Sequence, residues 1–530
     1  MKRVLAVGRS WQQAQAERAE HRRVQPRLTD ARLVAPAVGL WCFTALWILA
    51  GSRWALWAGA LLACLALGSW CGAQLLVRKS IAKVKGSLAH APVFVSHTLA
   101  LICLLAALQT VALQARGYPQ QWELMQALNG QGIRVTAEVT EARPAPTGGY
   151  RLQVETVEIR QASRAWAQRV PLSVYTDKLF IPGSTVSAVG ELKVSGTYYR
   201  LQGAVSLLEQ PASVAPLFEL KSGLRDRVVD HLGAERAGLL LGMAYGDDSS
   251  LPAPALSSLR VAGLTHLTAV SGANITLIFV VAYRLLYPLW PHRPALIAVG
   301  VAASSTYVVL VGLDGSVLRA WVMGLLGALG LILGHGAYRL AFLSTCVMAL
   351  LLAAPPLATH YGFILSVVAT ASLLILAPAI SRLISRALPL LFADLVALPC
   401  AASLWCAPVI LILSESIYPY TVLANLLAAP LVAPITVLGL LALIGYALGL
   451  AQPLLDALMN LGGFLTQGLL AVAAWCYKLP ASQLPLALSP LTLGLTLLAV
   501  VGISWMVLLA DRSLNTLPAA RLPRLLGGRP

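Results

Sequence analysis

The sequence predicts a polytopic α-helical membrane protein with an inserted extracytoplasmic small β-barrel, on three observations. Of 530 residues, 58% are hydrophobic and only 12% are charged, whereas a soluble chain is about half apolar and about one quarter charged. Mean hydropathy is +0.74, and the apolar residues gather in runs long enough to cross or enter a bilayer, which takes about 20 residues per helix. Residues 117–212 break this pattern and alternate apolar with polar positions, as strands do.

The elements follow in order. Residues 1–32 form a basic N-terminus with eight Lys/Arg against three acids. This stretch is too long, and its first apolar run too late, for a cleavable signal peptide. Apolar runs at about 33–50, 54–77 and 90–115 supply three transmembrane helices within 33–116. Five strand candidates come next: GIRVTAEVTEA, YRLQVETVEI, RVPLSVYT, STVSAVGELKV and YYRLQGAVSLLE. Turn-forming APTGG and IPGS lie between them. Five short strands in this space suit a small closed barrel, an OB-like domain over 117–215. Residues 216–232 show helical spacing with charges on one face, the pattern of an interfacial helix. Apolar segments at about 266–290, 294–313, 316–335, 339–355, 360–380, 390–413, 419–450, 460–478 and 487–510 complete a membrane domain over 216–510. A basic tail, 511–530, ends the chain.

The net charge of +17 is distributed as a topology signal rather than as a nucleic-acid footprint. With the N-terminus in the cytoplasm, three crossings put the β domain outside and the basic loop 78–86 inside. Nine more segments leave Arg284–Arg293, Arg339, Arg382–Arg386 and the tail inside, as the positive-inside rule demands. The eight cysteines all fall in apolar segments, so they form no disulfide framework and no metal-ligand motif, and packing is their simplest role. No cofactor is expected.

Polar groups inside the membrane concentrate in few places: His266, Ser271, Gly272, Asn274 and Thr276; Asp314, Ser316 and Arg319; His360, Ser366, Thr370 and Ser372; Asp394; and Asn425. A charge at mid-bilayer costs about 2.5–3.5 kcal/mol on insertion scales, so these side chains should face the bundle interior or a wet cavity. Gly272, Pro430 and Pro434 are expected to break helices there.

These residues carry a resemblance. GLTHLTAVSGANITLI (263–278) is similar to the signature of the ComEC-type DNA-internalisation channels of naturally transformable bacteria. GLLLGMAYGDDSSLP (238–252) resembles the family's glycine-rich lead-in, SVLRA (316–320) its S-x-x-R-A element, YGFILS (361–366) its G-F-x-L-S element and ANLLAAP (424–430) its asparagine–proline element. The likeness covers about 117–510. It departs in two respects: Asn274 stands where the common pattern has His, and no metallo-β-lactamase-like nuclease domain with its histidine cluster follows.

The resemblance implies passage of single-stranded DNA inward across the cytoplasmic membrane, with membrane lipids, an external DNA receptor, a cytoplasmic ATP-driven translocase and a separate nuclease as partners. A conduit for phosphates needs weak, multiple polar contacts rather than a dense cationic ring. Expected channel or DNA contacts are His266, Ser271, Gly272, Asn274, Asp314, Ser316, Arg319, Ser366 and Asn425. Arg319 leads, because its planar fork suits phosphate; an ion pair with Asp314 is the competing assignment. In the barrel, Tyr150, Trp166, Tyr175, Tyr198 and Tyr199 are candidate base-stacking residues. Nine Lys/Arg against eight acids in 117–212 mean that any basic groove must come from arrangement rather than excess. No phosphate-loop motif is present, so a motor must be supplied by another protein. A small-solute or lipid-linked transporter, or a membrane hydrolase using His266, Asp314 or Asp394, are the alternatives; a catalytic Ser–His pairing lacks a group to orient the His.

Overall fold

A computed structural model describes residues 31–50, 64, 91–144, 149–178, 180–195, 198–211, 216–268, 270, 272–289, 292–312, 315–332 and 339–516. The segment expected at 54–77 and the basic loop 78–86 lie outside them, apart from Cys64.

Two apolar helices come first, α1 (Val34–Ala50) and α2 (Ala91–Ala115). Their glutamine and tryptophan side chains fasten them to the bundle. Gln109 donates to the Leu351 carbonyl at 2.9 Å and Trp41 to the Ala358 carbonyl at 2.8 Å. In an apolar medium such groups must find protein partners, since no water is at hand. A short helix, α3 (Tyr118–Ala127), follows a left-handed Gly117 and lays Met125 and Leu124 on the barrel core.

All five expected strands form. They are β1 (Gly132–Pro144), β2 (Tyr150–Gln161), β4 (Pro171–Thr176), β5 (Thr185–Ser195) and β6 (Tyr198–Glu209); a three-residue β3 (Arg164–Trp166) is added beside β2. The sheet runs β1-β5-β6-β4-β2 and closes through β2 onto β1, with β4 and β6 parallel and the other pairs of the barrel antiparallel. That order is the OB arrangement. Alternation determines the interior: Val135, Ala137, Leu152, Val154, Leu172, Val174, Val186, Ala188, Leu192 and Leu201 are buried.

The membrane domain opens with a helical hairpin, α4 (Pro216–Leu232) and α5 (Ala234–Tyr245), then α6 (Ala253–Val261) and a 3₁₀ turn at Thr265–Leu267. Part of the charged face of α4 is engaged with neighbouring elements. Arg227 pairs with Asp456 at 3.1 Å, His231 with Asn460 at 3.1 Å, and Lys221 donates to the Leu310 carbonyl. The apolar face of α4 buries Leu224, Val228 and Leu232. Long helices follow: α7 (Gly272–Leu286), α8 (Arg293–Val311), α9 (Gly315–Ile332), α10 (Arg339–Ala353), α11 (Tyr361–Ile375), α12 (Ala377–Ile384), α13 (Leu390–Ser414), α14 (Thr421–Ala447), α15 (Gln452–Lys478) and α16 (Pro490–Thr516). Strands β7 (Ser416–Ile417) and β8 (Leu484–Pro485) tie the α13–α14 and α15–α16 connections together.

Among the described residues eight helices are long and apolar enough to cross a membrane, or nine if α11 and α12, bent by 42°, count as one span. The chain is a multi-pass membrane protein. One expectation fails: Pro430 and Pro434 do not break α14, which runs unbroken through both. Each proline removes one backbone donor, and both sit on an exposed stretch of the helix surface.

Candidate functional site

The segment GLTHLTAVSGANITLI divides into a 3₁₀ turn and a helix that starts at Gly272. A glycine is required there by contact, not by torsion. A β-carbon at 272 would lie 3.0 Å from the Ala320 Cβ and 3.4 Å from the Arg319 Nη2. The first turn of α7 is thereby seated on the S-x-x-R-A stretch of α9. Arg319 is 7% exposed. Its Nε donates to the Ser366 Oγ at 2.7 Å, and its Nη1 contacts the Met323 Sδ at 3.6 Å. Ser366 belongs to the YGFILS stretch of α11. Three stretches far apart in sequence therefore meet at one guanidinium. Among the described residues no carboxylate forms an ion pair with Arg319. Asp314 and Ser271 lie outside the described residues.

Asn274 has another duty. It is 5% exposed, and its Nδ2 donates to the Met243 carbonyl at 2.9 Å. Tyr307 on α8 donates to the adjacent Ala244 carbonyl at 2.6 Å, and its hydroxyl also bonds Asn274. These two side chains satisfy the end of α5, whose last carbonyls lack helical partners. An amide holds this position as firmly as an imidazole would, because a donor is all that the carbonyl needs.

The remaining expected residues are more dispersed. His266 is exposed in the 3₁₀ turn, with Nδ1 3.2 Å from the Gly263 carbonyl oxygen. Ser316 is half-buried in the first turn of α9. Asn425 is half-buried and donates back to the Thr421 carbonyl of its own helix at 2.8 Å. Thr421 packs against Gly263, which links the asparagine–proline helix to the start of the signature segment. Asp394 is exposed and accepts from Ser381.

At the barrel the aromatics separate into two sets. Tyr150, Trp166 and Tyr199 are partly buried against the barrel core. The side chain of Tyr198 is outside the described set. Of the candidates whose side chains are described, Tyr175 alone sits on the outer surface, and there the register supplies what composition hid. Arg151 on β2 is opposite Tyr175 on β4, the Arg200 guanidinium on β6 lies 5.2 Å from the centre of the Tyr175 ring, and Lys193 on β5 is opposite Arg200. Across these strands, spaced about 4.8 Å apart, the outward positions form a cationic stripe with one aromatic ring. Glu155 is outward farther along β2, whereas Glu191 on β5 shares a cross-strand row with Gln202, Tyr175 and Arg151 and sets one acid beside the stripe.

A second charged group lies where barrel and membrane domain meet. Lys221 on α4 sits 5.5 Å from the Tyr245 ring centre and within charge range of Asp247 and of Glu141 on β1. Burial pulls its ammonium below the ordinary lysine range, and the two carboxylates oppose that shift. Arg225 pairs with Asp247 at 3.7 Å. Nothing in the local sequence pattern marks Lys221, Arg225 or Tyr307. Strand alternation could have assigned Arg151, Lys193 and Arg200 to the outer face, but not brought them together.

Among the described residues no three His, Cys, Asp or Glu side chains converge as a metal site needs. A 670 Å³ cavity opens at the other end of α5, lined by Gly233, Glu235 and Arg236 with Ser258 of α6 and Gln467 and Leu470 of α15.

A family profile described as "Competence protein" matches residues 243–512. Comparison with curated proteins and with solved structures found no match. The matched span holds Met243, Gly272, Asn274, Arg319, Ser366 and Asn425, so the Arg319 and α5 contacts lie within it. The chain belongs to the competence protein family, whose role is in DNA uptake.

Proposed function

We propose that this protein is the conduit by which a single strand of DNA crosses the cytoplasmic membrane, with the barrel on the outer side and the N-terminus in the cytoplasm. The observation that carries the proposal is Arg319. A guanidinium buried among helices, held by a neutral hydroxyl, keeps its full charge for a passing anion. It stands beside the first turn of α7, where unpaired backbone N–H groups favour negative charge. Gly272 permits that approach and Ser366 aims the fork, so phosphate is the natural ligand. Asn274 positions the first turn of α7 through its bond to Met243, Ser316 lies half-buried in the first turn of α9, and His266 lies at the start of the signature segment.

The barrel stripe of Arg151, Tyr175, Arg200 and Lys193 receives the strand before it reaches the bundle. Three strand spacings of about 4.8 Å span roughly two nucleotides of backbone. Pulling falls to a cytoplasmic ATP-driven translocase, delivery to an external receptor and strand removal to a separate nuclease. Arg319→Gln is expected to lower acquisition of DNase-resistant labelled DNA by about tenfold or more while the protein remains in the membrane; uptake at the unmodified rate would exclude the conduit role for this residue.

A further inference from the structure

Helix α5 is unlike its neighbours. It has 12 residues, about 18 Å at 1.5 Å per residue, and cannot span a bilayer. Yet all of Ala237–Tyr245 is buried, at the heart of the largest apolar core. Both ends are glycines in backbone regions that other residues rarely adopt: Gly233 at φ 81° and Gly246 at φ 84°. Polar features flank it at each end. Lys221, Arg225 and Asp247 lie at its C-terminal end, and the 670 Å³ cavity with Glu235, Arg236, Ser258 and Gln467 at its N-terminal end. Between them α5 fills the space, pressed on by Gly439 of α14, where a β-carbon would be 2.6 Å from the Ala244 Cβ.

The Tyr245 hydroxyl, in a residue 1% exposed, has no hydrogen-bond partner among the described residues, and neither does the buried Ser250 hydroxyl five residues later. An unsatisfied buried hydroxyl disfavours the state that contains it. What holds α5 in place at that end is the pair of bonds from Asn274 and Tyr307 to its last carbonyls.

We infer that α5 is a plug: it closes the conduit at rest, latched by Asn274 and Tyr307, and swings on Gly233 and Gly246 to admit the strand. The inference rests on the conduit proposed above. It also accounts for the signature asparagine, whose amide is engaged with α5 rather than facing an open passage. Contact of a phosphate with Lys221 or Arg225 would pull these cations from the Tyr245 ring and from Asp247, which bear on α5 and the turn that follows it.

Two measurements test it. Purified full-length protein carrying Asn274→Ala and Tyr307→Phe is reconstituted in potassium-loaded liposomes; a leak several-fold faster than that of the unmodified protein is expected. Separately, Ala244→Cys and Gly439→Cys are combined in a chain whose eight native cysteines are replaced by alanine. Disulfides prefer a Cβ separation of about 3.8 Å, so α5 and α14 need only ease apart slightly. Oxidation should stop DNA uptake by cells, and reductant should restore it. Unlatched liposomes as tight as the unmodified ones, or a cross-linked chain that still imports DNA, overturn the plug while leaving the conduit intact. If the unlatched variant does not reach the membrane, the cysteine pair decides alone. Absence of uptake by the unmodified chain removes the conduit and the plug together.

Discussion

Replacing Arg319 by lysine and by glutamine separates charge from geometry. The guanidinium makes one charge-assisted bond to Ser366, 2.7 Å long, in a site where the side chain is 7% exposed. A hydrogen bond involving a charged group is worth roughly 1.5–3 kcal/mol. Glutamine forfeits both that bond and the charge offered to phosphate. If the phosphate contact has similar strength in the rate-limiting passage, uptake falls by about 10-fold to 150-fold, at about 1.4 kcal/mol per tenfold. Lysine keeps the charge but loses the planar fork, so it should fall between glutamine and the unmodified protein. The assay is acquisition of DNase-resistant labelled DNA, normalised to membrane protein by immunoblot, alongside the melting temperature of the detergent-solubilised protein. A structural role alone would depress melting equally in both variants and would not order uptake by charge. Glutamine and lysine variants that are equally impaired in uptake, in proportion to their loss of stability, would refute the phosphate assignment.

Other outcomes follow from the same contacts. Gly272→Val should displace α7 from α9, because even a β-carbon would reach within 3.0 Å of Ala320; overpacking of this kind costs about 1–3 kcal/mol, read as a lower melting temperature and weaker uptake. Arg382 and Asp511 form a two-point pair at 2.9 and 2.6 Å that joins α12 to α16. The Arg382 side chain is 50% exposed and that of Asp511 10%, so solvent screens the pair and Arg382→Ala should lower the melting temperature only modestly; adding Asp511→Ala should recover part of that loss. Joint replacement of Arg151, Lys193 and Arg200 by alanine in the full-length protein should weaken binding of single-stranded DNA and flatten its salt dependence, by about 0.7 in logarithmic slope per lost phosphate contact; an unchanged slope would remove the stripe from the path. Gly203→Val should unfold the barrel, since a β-carbon would sit 2.0 Å from the Val189 carbonyl oxygen across the β5–β6 ladder; circular dichroism or limited proteolysis reads the loss.

Much of this protein is written in one dimension. Long apolar runs determine the spans, because a bilayer demands about 20 apolar residues wherever a helix crosses; nine such segments after residue 260 all became helices, with the 266–290 run beginning its helix at Gly272. Period-two alternation determines the barrel strands and their inner faces, because successive strand side chains point to opposite sides. The ordered motifs are likewise legible as strings. Tertiary structure alone decided which distant pieces meet. Residues 238–252 resemble a glycine-rich lead-in and hold no run long enough for a span, yet neighbouring helices supply the apolar surroundings that make α5 a buried core element. Near-equal counts of Lys/Arg and acids concealed the cationic stripe, because composition averages over a barrel whose register gathers Arg151, Arg200 and Lys193 around one tyrosine. Arg319 and Ser366 stand 47 residues apart, and only the packing of α9 against α11 turns a motif arginine and a motif serine into a single site. Hydrophobicity is a local property that a chain carries wherever it goes, whereas a hydrogen bond between remote side chains exists only once the folded backbone has brought them within 3 Å or so of each other.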